Sequence, residues 1–332
     1  EITEKSITLI KNDNDILPLK DISSKIAFLE MGGSNSDEFF KMLNHYTKVD
    51  KIEYDSEILR KIEPYNIVIV GFHKSNKSPF DPYKFSKSDK EILELISKNK
   101  KVILNIFAKP YALMDIDMTD ISSIIVSYQN NSTAQNKSAQ IIFGALPAVG
   151  KLPVSINNKY PVHTSIKTTT LDRLSYGLPS NIIFDLDKLN SIDLYVEDAI
   201  ENKMTPGAQV LIAKNGKVIF NKNYGYKTYN KTDPIDWDNI YDLASLTKIL
   251  SSVPLLMNEY ENNTIDEEST LFDIIPDLNL RDKSNLLLKE MLAHQSGLYP
   301  WIPFYKETLD SINHDPLISF YSKKKINFFL FL

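Results

Sequence analysis

Four short apolar runs rich in Ile and Val punctuate the first half of the chain: Lys25 to Glu30, Asn66 to Phe72, Lys101 to Phe107 and Ser123 to Tyr128. Runs of this length and make-up suit strands covered on both faces. Between them the apolar positions change to helical spacing, at about Asp37 to Asn44, at Asp89 to Lys98 (Ile92, Leu93, Leu95 and Ile96) and at Thr133 to Phe143. Strands alternating with helices predict a parallel sheet layered by helices on both sides, an α/β sandwich. Gly32-Gly33 follows the first strand, but the run Gly-Gly-Ser-Asn-Ser-Asp has neither dinucleotide-binding nor P-loop spacing and is read as a turn.

The second half is patterned differently. Leu186, Leu189, Ile192, Val196, Ala199 and Ile200 form one helical stripe between Leu186 and Lys203, and Pro206-Gly207 ends it. Ala208 to Ala213 and Val218 to Tyr224 then flank Lys214-Asn215-Gly216-Lys217, and an Asn-Gly pair between two strand-like runs signals a hairpin. From about 160 to 186, including three consecutive threonines at 168–170, the chain is polar and turn-rich with no period. The predicted organisation is an α/β domain at 1–160, a linker at 161–186 and an α+β segment at 187–332.

A length of 332 residues accommodates two domains, and 42% hydrophobic with 24% charged residues describes a globular chain. The net charge of -5 is spread so that neither half has a basic surplus, which argues against a nucleic-acid partner. There is no cysteine, and the five histidines, His45, His73, His163, His294 and His314, lack ligand spacing, so neither metal nor cofactor is expected. No stretch reads as a signal peptide or membrane span. The chain opens on Glu1 rather than Met, so its start is expected to be a cut boundary, and any targeting segment would lie outside it.

Candidate chemistry lies at Tyr241-Asp242-Leu243-Ala244-Ser245-Leu246-Thr247-Lys248. If Ile249 to Tyr260 continues as a helix, Ser245 and Lys248 stand three residues apart on one helical face, where their side chains meet. A serine hydroxyl is a poor nucleophile unless a neighbour takes its proton, and a lysine does so only where burial and positive potential lower its pKa. S-x-x-K alone is a weak signal, because four loosely specified positions recur by chance.

Ile7-Thr8-Leu9-Ile10-Lys11-Asn12 with Ile16-Leu17-Pro18-Leu19, then Phe107-Ala108-Lys109-Pro110-Tyr111-Ala112-Leu113, then Gly144-Ala145-Leu146-Pro147 and Gly150-Lys151-Leu152-Pro153-Val154-Ser155, resembles the C-terminal domain of family 3 glycoside hydrolases. The resemblance covers about 1–160. It implies that the nucleophilic aspartate of a glycosidase resides in a barrel domain expected upstream of Glu1. Glycoside hydrolysis needs two carboxyl groups flanking the scissile bond. Some members supply the general acid from this domain, which makes Glu38, His73 and Asp81 worth weighing. None falls in an alignable motif, and all three are read as structural or solvated.

Pro206-Gly207-Ala208-Gln209-Val210, the hairpin, Tyr224-Gly225-Tyr226, the stretch around Ser245, and Leu292-Ala293-His294-Gln295-Ser296-Gly297-Leu298 resemble, in that order, the β-lactamase-related serine hydrolases of the class C and penicillin-binding-protein type. By that resemblance Ser245 is the acylated nucleophile, Lys248 its activating partner, and the Ser245 N–H part of the oxyanion hole. His294, Ser296 and Gly297 are read as structural, with Gly297 near a helix cap. After Lys248 the family's second motif, Tyr-x-Asn or Ser-x-Asn, is read as missing, and the nearest to it is Tyr321-Ser322-Lys323, whose third position is wrong. No third motif, Lys-Thr-Gly or His-x-Gly, is found. The tail Lys323 to Leu332 turns lysine-rich and then apolar, and a frameshift or early stop near codons 322–326 of the parent gene is expected.

The resulting expectation is a fragment of a two-function hydrolase, glycosidase plus acyl-serine hydrolase, acting on cell-wall, glycan or peptidoglycan-type material in a periplasmic or secreted setting. Two alternatives stand beside it: a β-glucosidase or β-N-acetylhexosaminidase with a non-catalytic appendage, and an inactive remnant.

Overall fold

A computed structural model describes residues 1–78, 80–177, 185–276 and 283–310. Tyr321-Ser322-Lys323 and the tail after it lie outside the described residues. The chain forms two compact units, Glu1–Asn239 and Ile240–Leu332.

The first unit is built on a six-stranded sheet of β1 (Thr8–Asn12), β2 (Ile26–Met31), β3 (Val49–Lys51), β4 (Ile67–His73), β5 (Lys101–Phe107) and β6 (Ser123–Val126), in the order β1-β6-β5-β4-β2-β3. The expected parallel sheet is present, with one addition: β1 lies antiparallel to β6 at one edge, so the sheet is mixed. Around it lie α1 (Ile2–Ser6), α2 (Asp37–Asn44), α3 (Ile58–Ile62), α4 (Lys87–Ser97) and α5 (Ser132–Ile142). The strand period of two divides the core. Val68, Val70 and Phe72 of β4 join Val102, Leu104 and Ile106 of β5 in one cluster, whereas Ile67, Ile69, Ile103 and Phe107 join Phe28, Phe39 and Phe143 in the other.

Local chemistry fixes the helix ends. Ser86 caps α4 by accepting from the Asp89 N–H at 3.0 Å, and Asp89 returns the bond to the Ser86 N–H at 3.2 Å. Tyr54 donates to the Asp89 carboxylate at 2.7 Å, and burial followed by that bond pushes the phenol up to about 12.

Residues 161–177 are bonded to the sheet. Ile166 bridges Leu9, and the Arg173 guanidinium donates to the carbonyls of Leu19 at 2.6 Å, Phe143 at 2.7 Å and Lys20 at 2.8 Å. β7 (Ser175–Tyr176) then pairs parallel with β9 (Lys217–Gly225), which forms the hairpin with β8 (Gly207–Lys214). Asn215 and Gly216 both take positive φ, 52° and 72°, as the turn that matches strand twist requires. On one side of the hairpin, Lys222 and Tyr224 bond Asp193 of α6 (Leu186–Glu201) at 2.6 Å each.

The second unit contains α7 (Val253–Glu261), α8 (Leu271–Ile274) and α9 (Leu288–Leu292). Among the described residues from Ile240 onward none is buried. Leu246, Ile249, Leu250, Leu255 and Met257 are each more than half exposed. A helix that is apolar on all sides belongs inside a core. At the end of α9 it is His294, at φ 58°, that takes the left-handed cap, with its N–H on Met291 and the Gln295 N–H on Glu290, the two bonds of a Schellman motif. The cap expected near Gly297 therefore sits three residues earlier, and Gly297 makes a separate turn at φ 72°.

Candidate active site

Asp242 accepts the Ala244 N–H at 2.7 Å, closing a short turn that holds Ala244 at φ 45°. The N–H groups of Leu246, Thr247 and Lys248 then bond the carbonyls of Leu243, Ala244 and Ser245, starting the helix at the serine. Its next turn, Lys248–Ser252, is a π-turn in which the Val253 N–H reaches the Lys248 carbonyl. Pro254 explains this widening: it has no N–H to offer, and its ring crowds the carbonyl of Leu250 four residues back.

This local path brings Ser245 and Lys248 together. Lys248 Nζ donates to Ser245 Oγ at 3.0 Å, and both side chains are exposed. The Ser245 N–H donates to no described group, so it is available to an incoming oxyanion. Acylation would require the Ser–Lys bond to run the other way, with Nζ accepting the hydroxyl proton. A lysine does so where water is excluded and positive potential is near. Leu246, Ile249 and Leu250, which would exclude water if covered, face solvent.

One sequence feature was missed. Tyr260-Glu261-Asn262 spells Tyr-x-Asn, and Ser311-Ile312-Asn313, which spells Ser-x-Asn, lies outside the described residues. Tyr260 is on the same helix as Lys248, twelve residues on, which at 1.5 Å per residue puts it roughly 18 Å along the axis. Its hydroxyl is out of reach of Ser245. It serves as the last turn of α7, whose cap is Asn262.

The three groups weighed in the first domain do not converge. Asp81 is in a surface loop, bonded to Ser75 at 2.7 Å and the Ser78 N–H at 3.0 Å, and the first of these holds its carboxyl low. Glu38 accepts from Asn136 at 2.9 Å. His73 is fully buried, stacked on Phe107 at 4.3 Å, with Nδ1 2.9 Å from Asn130 Oδ1. Burial depresses its pKa to about 4, only partly offset by the Asn130 bond. A neutral imidazole sealed in the core is a packing group. Among the described residues no cluster of acidic or histidine side chains could hold a metal ion, and no helix is long and apolar enough to cross a membrane.

The family model described as Glycosyl hydrolase family 3 C-terminal domain matches residues 7–199. The chain belongs to that family. A second model, Beta-lactamase, matches residues 195–328, so the two matches meet within α6. The family 3 domain and the β-lactamase-type segment thus follow one another in one chain, and both belong to hydrolase families. Protein flp of Staphylococcus aureus (strain NCTC 8325 / PS 47) is 29% identical over 115 residues, 34% of this chain and 23% of that protein. The teichoic acid D-alanine hydrolase of S. aureus (strain MRSA252) is 25% identical over 189 residues, 53% of this chain and 44% of that protein. The chain therefore spans less than half the length of either relative. Among solved structures, a beta-glucosidase from Listeria innocua in complex with isofagomine has a TM-score of 0.40 at 14% identity, covering 46% of this chain and 26% of that one. A family 3 beta-N-acetylglucosaminidase from Paenibacillus sp. str. FPU-7 has a TM-score of 0.37 at 17% identity, covering 47% and 31%.

Proposed function

We propose that the chain carries the nucleophile-bearing part of an acyl-serine hydrolase, with Ser245 as the acylated residue, Lys248 as its proton acceptor and the Ser245 N–H as one oxyanion donor. The observation that carries this reading is the 3.0 Å approach of Lys248 Nζ to Ser245 Oγ at the start of a helix. The substrate class is an ester, amide or lactam on cell-wall or glycan material. The match to a protein named for D-alanine removal from teichoic acid favours an acyl ester on such a polymer. With both side chains exposed, the pair is latent until apolar cover desolvates the lysine.

The test is a chimera in which the β-lactamase-type segment is continued by the remainder of the domain from the D-alanine hydrolase relative. The chimera hydrolyses an acyl ester, and Ser245→Ala and Lys248→Ala each abolish turnover. Hydrolysis that survives Ser245→Ala would place the nucleophile elsewhere.

A second reading is favoured by the family 3 match over 7–199. In it the first unit is the partner domain of a glycosidase whose barrel, with its nucleophilic carboxylate, precedes Glu1, and the serine segment is an appendage. Glycoside turnover by a form carrying such a barrel, unaffected by Ser245→Ala, would favour it.

A further inference from the structure

A cavity of about 440 Å³ opens within the first unit, between the end of α2, β7 and the hairpin. The hairpin presents Gln209 and Leu211 on one side because they are two apart on β8, and Asn221 joins them because it is the register partner of Leu211. The opposite side carries Lys222 and Tyr224 onto α6, so this face is left to line the cavity. The facing wall is aromatic. Tyr176 stacks on His45 with ring centres 4.8 Å apart at 17°, and Trp237 meets His45 edge-on at 5.5 Å and 77°. Trp237 keeps 46% of its surface open.

The polar lining is uncommitted. The side chains of Asn221, Asp238 and His45 bond no described group, whereas Asn44, on the same rim, is held by Phe40 and Val49. The Gln209 amide N–H donates to the Asp236 carbonyl, and its oxygen bonds no described group. Burial, then the nearby Lys41, lowers the His45 pKa, so the ring is neutral near pH 7. Among the described residues no lysine or arginine lines the cavity, so none of them offers a phosphate or uronate a cationic partner there. A cage for a quaternary ammonium needs ring faces turned inward around a void. Here the Tyr176 face is covered by His45.

A half-exposed indole beside amide and carboxylate groups that bond no described partner suits a ligand that is apolar on one face and hydroxyl-bearing at its edge. We propose that this cavity binds a neutral pyranose oligosaccharide, with the sugar ring on Trp237 and its hydroxyls on Asn221, Asp238 and His45. The residues of this site all belong to the first unit, and the proposal does not depend on the acyl-serine reading.

Trp237 and Trp301 are the only tryptophans, so Trp301→Phe leaves Trp237 as sole reporter. Emission of this variant is titrated with the tetramer of N-acetylglucosamine and with cellotetraose, and binding is repeated by calorimetry. At least one sugar produces a saturable change at millimolar concentration. Trp237→Ala, or Asn221→Ala with Asp238→Ala, weakens calorimetric binding by about tenfold or more, the loss expected for one good contact. Circular dichroism checks that each variant stays folded, and the Asn221/Asp238 pair decides the outcome if Trp237→Ala does not. Ser245→Ala leaves binding unchanged. The proposal is overturned if neither sugar binds, if the folded Trp237→Ala or Asn221/Asp238 variant binds as the parent does, or if trigalacturonate or tetramethylammonium binds as tightly.

Discussion

The buried His73 makes the first unit sensitive to mild acid. In the unfolded chain its imidazole protonates around 6.5, whereas in the folded core burial holds it near 4. Between these values the unfolded state takes up a proton that the native state refuses, so stability falls as pH drops through 6.5 and levels off below about 4. With those two values, linkage removes about 2 kcal/mol between pH 7 and pH 5, at 1.36 kcal/mol per unit of pKa difference. His73→Gln keeps an amide that can reach Asn130 and does not titrate. The variant is less stable at pH 7, because the stack on Phe107 is lost, but its decline from pH 7 to pH 5 is shallower by about 2 kcal/mol. Urea unfolding of both proteins at the two pH values reads the difference directly, and carboxylate contributions common to both cancel. Equal declines would show that His73 is not held neutral by the core.

Other expectations concern the framework. Arg173→Ala removes donors from three carbonyls and costs the first unit about 2–3 kcal/mol, read as a lower urea midpoint; an unchanged midpoint would mean residues 161–177 are not anchored there. Ser86→Ala loses the α4 cap and costs about 1 kcal/mol, with Ser86→Gly nearer neutral, since glycine tolerates the cap position. Aryl glucosides and aryl N-acetylglucosaminides are not cleaved by this chain above a buffer blank, because the first-domain carboxylates Glu38 and Asp81 do not converge; turnover lost on mutating either would refute that.

The sheet was legible because its code is redundant. Val68, Val70 and Phe72 on one face and Ile67 and Ile69 on the other leave a strand as the simplest solution, and the helices between such runs force parallel pairing. Asn215-Gly216 announced the hairpin for an equally local reason. By contrast β3, Val49–Lys51, is too short to show a period. The role of Arg173 depends on three carbonyls distant in sequence, so nothing near position 173 signals it. At His294 the left-handed cap falls on a residue other than glycine, and the nearby Gly297 drew the assignment. Tyr260-Glu261-Asn262 shows the limit of motif reading in the other direction, since its helix separates the tyrosine from Ser245. The Ser245–Lys248 contact followed from helical spacing. Their exposure did not, because covering a helix depends on what packs against it.

The central claim is tested most directly by intact-mass analysis after incubation with a fluorophosphonate, run in parallel on this chain and on the completed chimera. Apolar cover over Leu246, Ile249 and Leu250 should convert the exposed pair into a working nucleophile. The chain alone should therefore show no stoichiometric adduct, while the chimera gains one, mapped to Ser245 and lost in both Ser245→Ala and Lys248→Ala. An adduct on a different serine, or full labelling that persists without Lys248, would contradict the account.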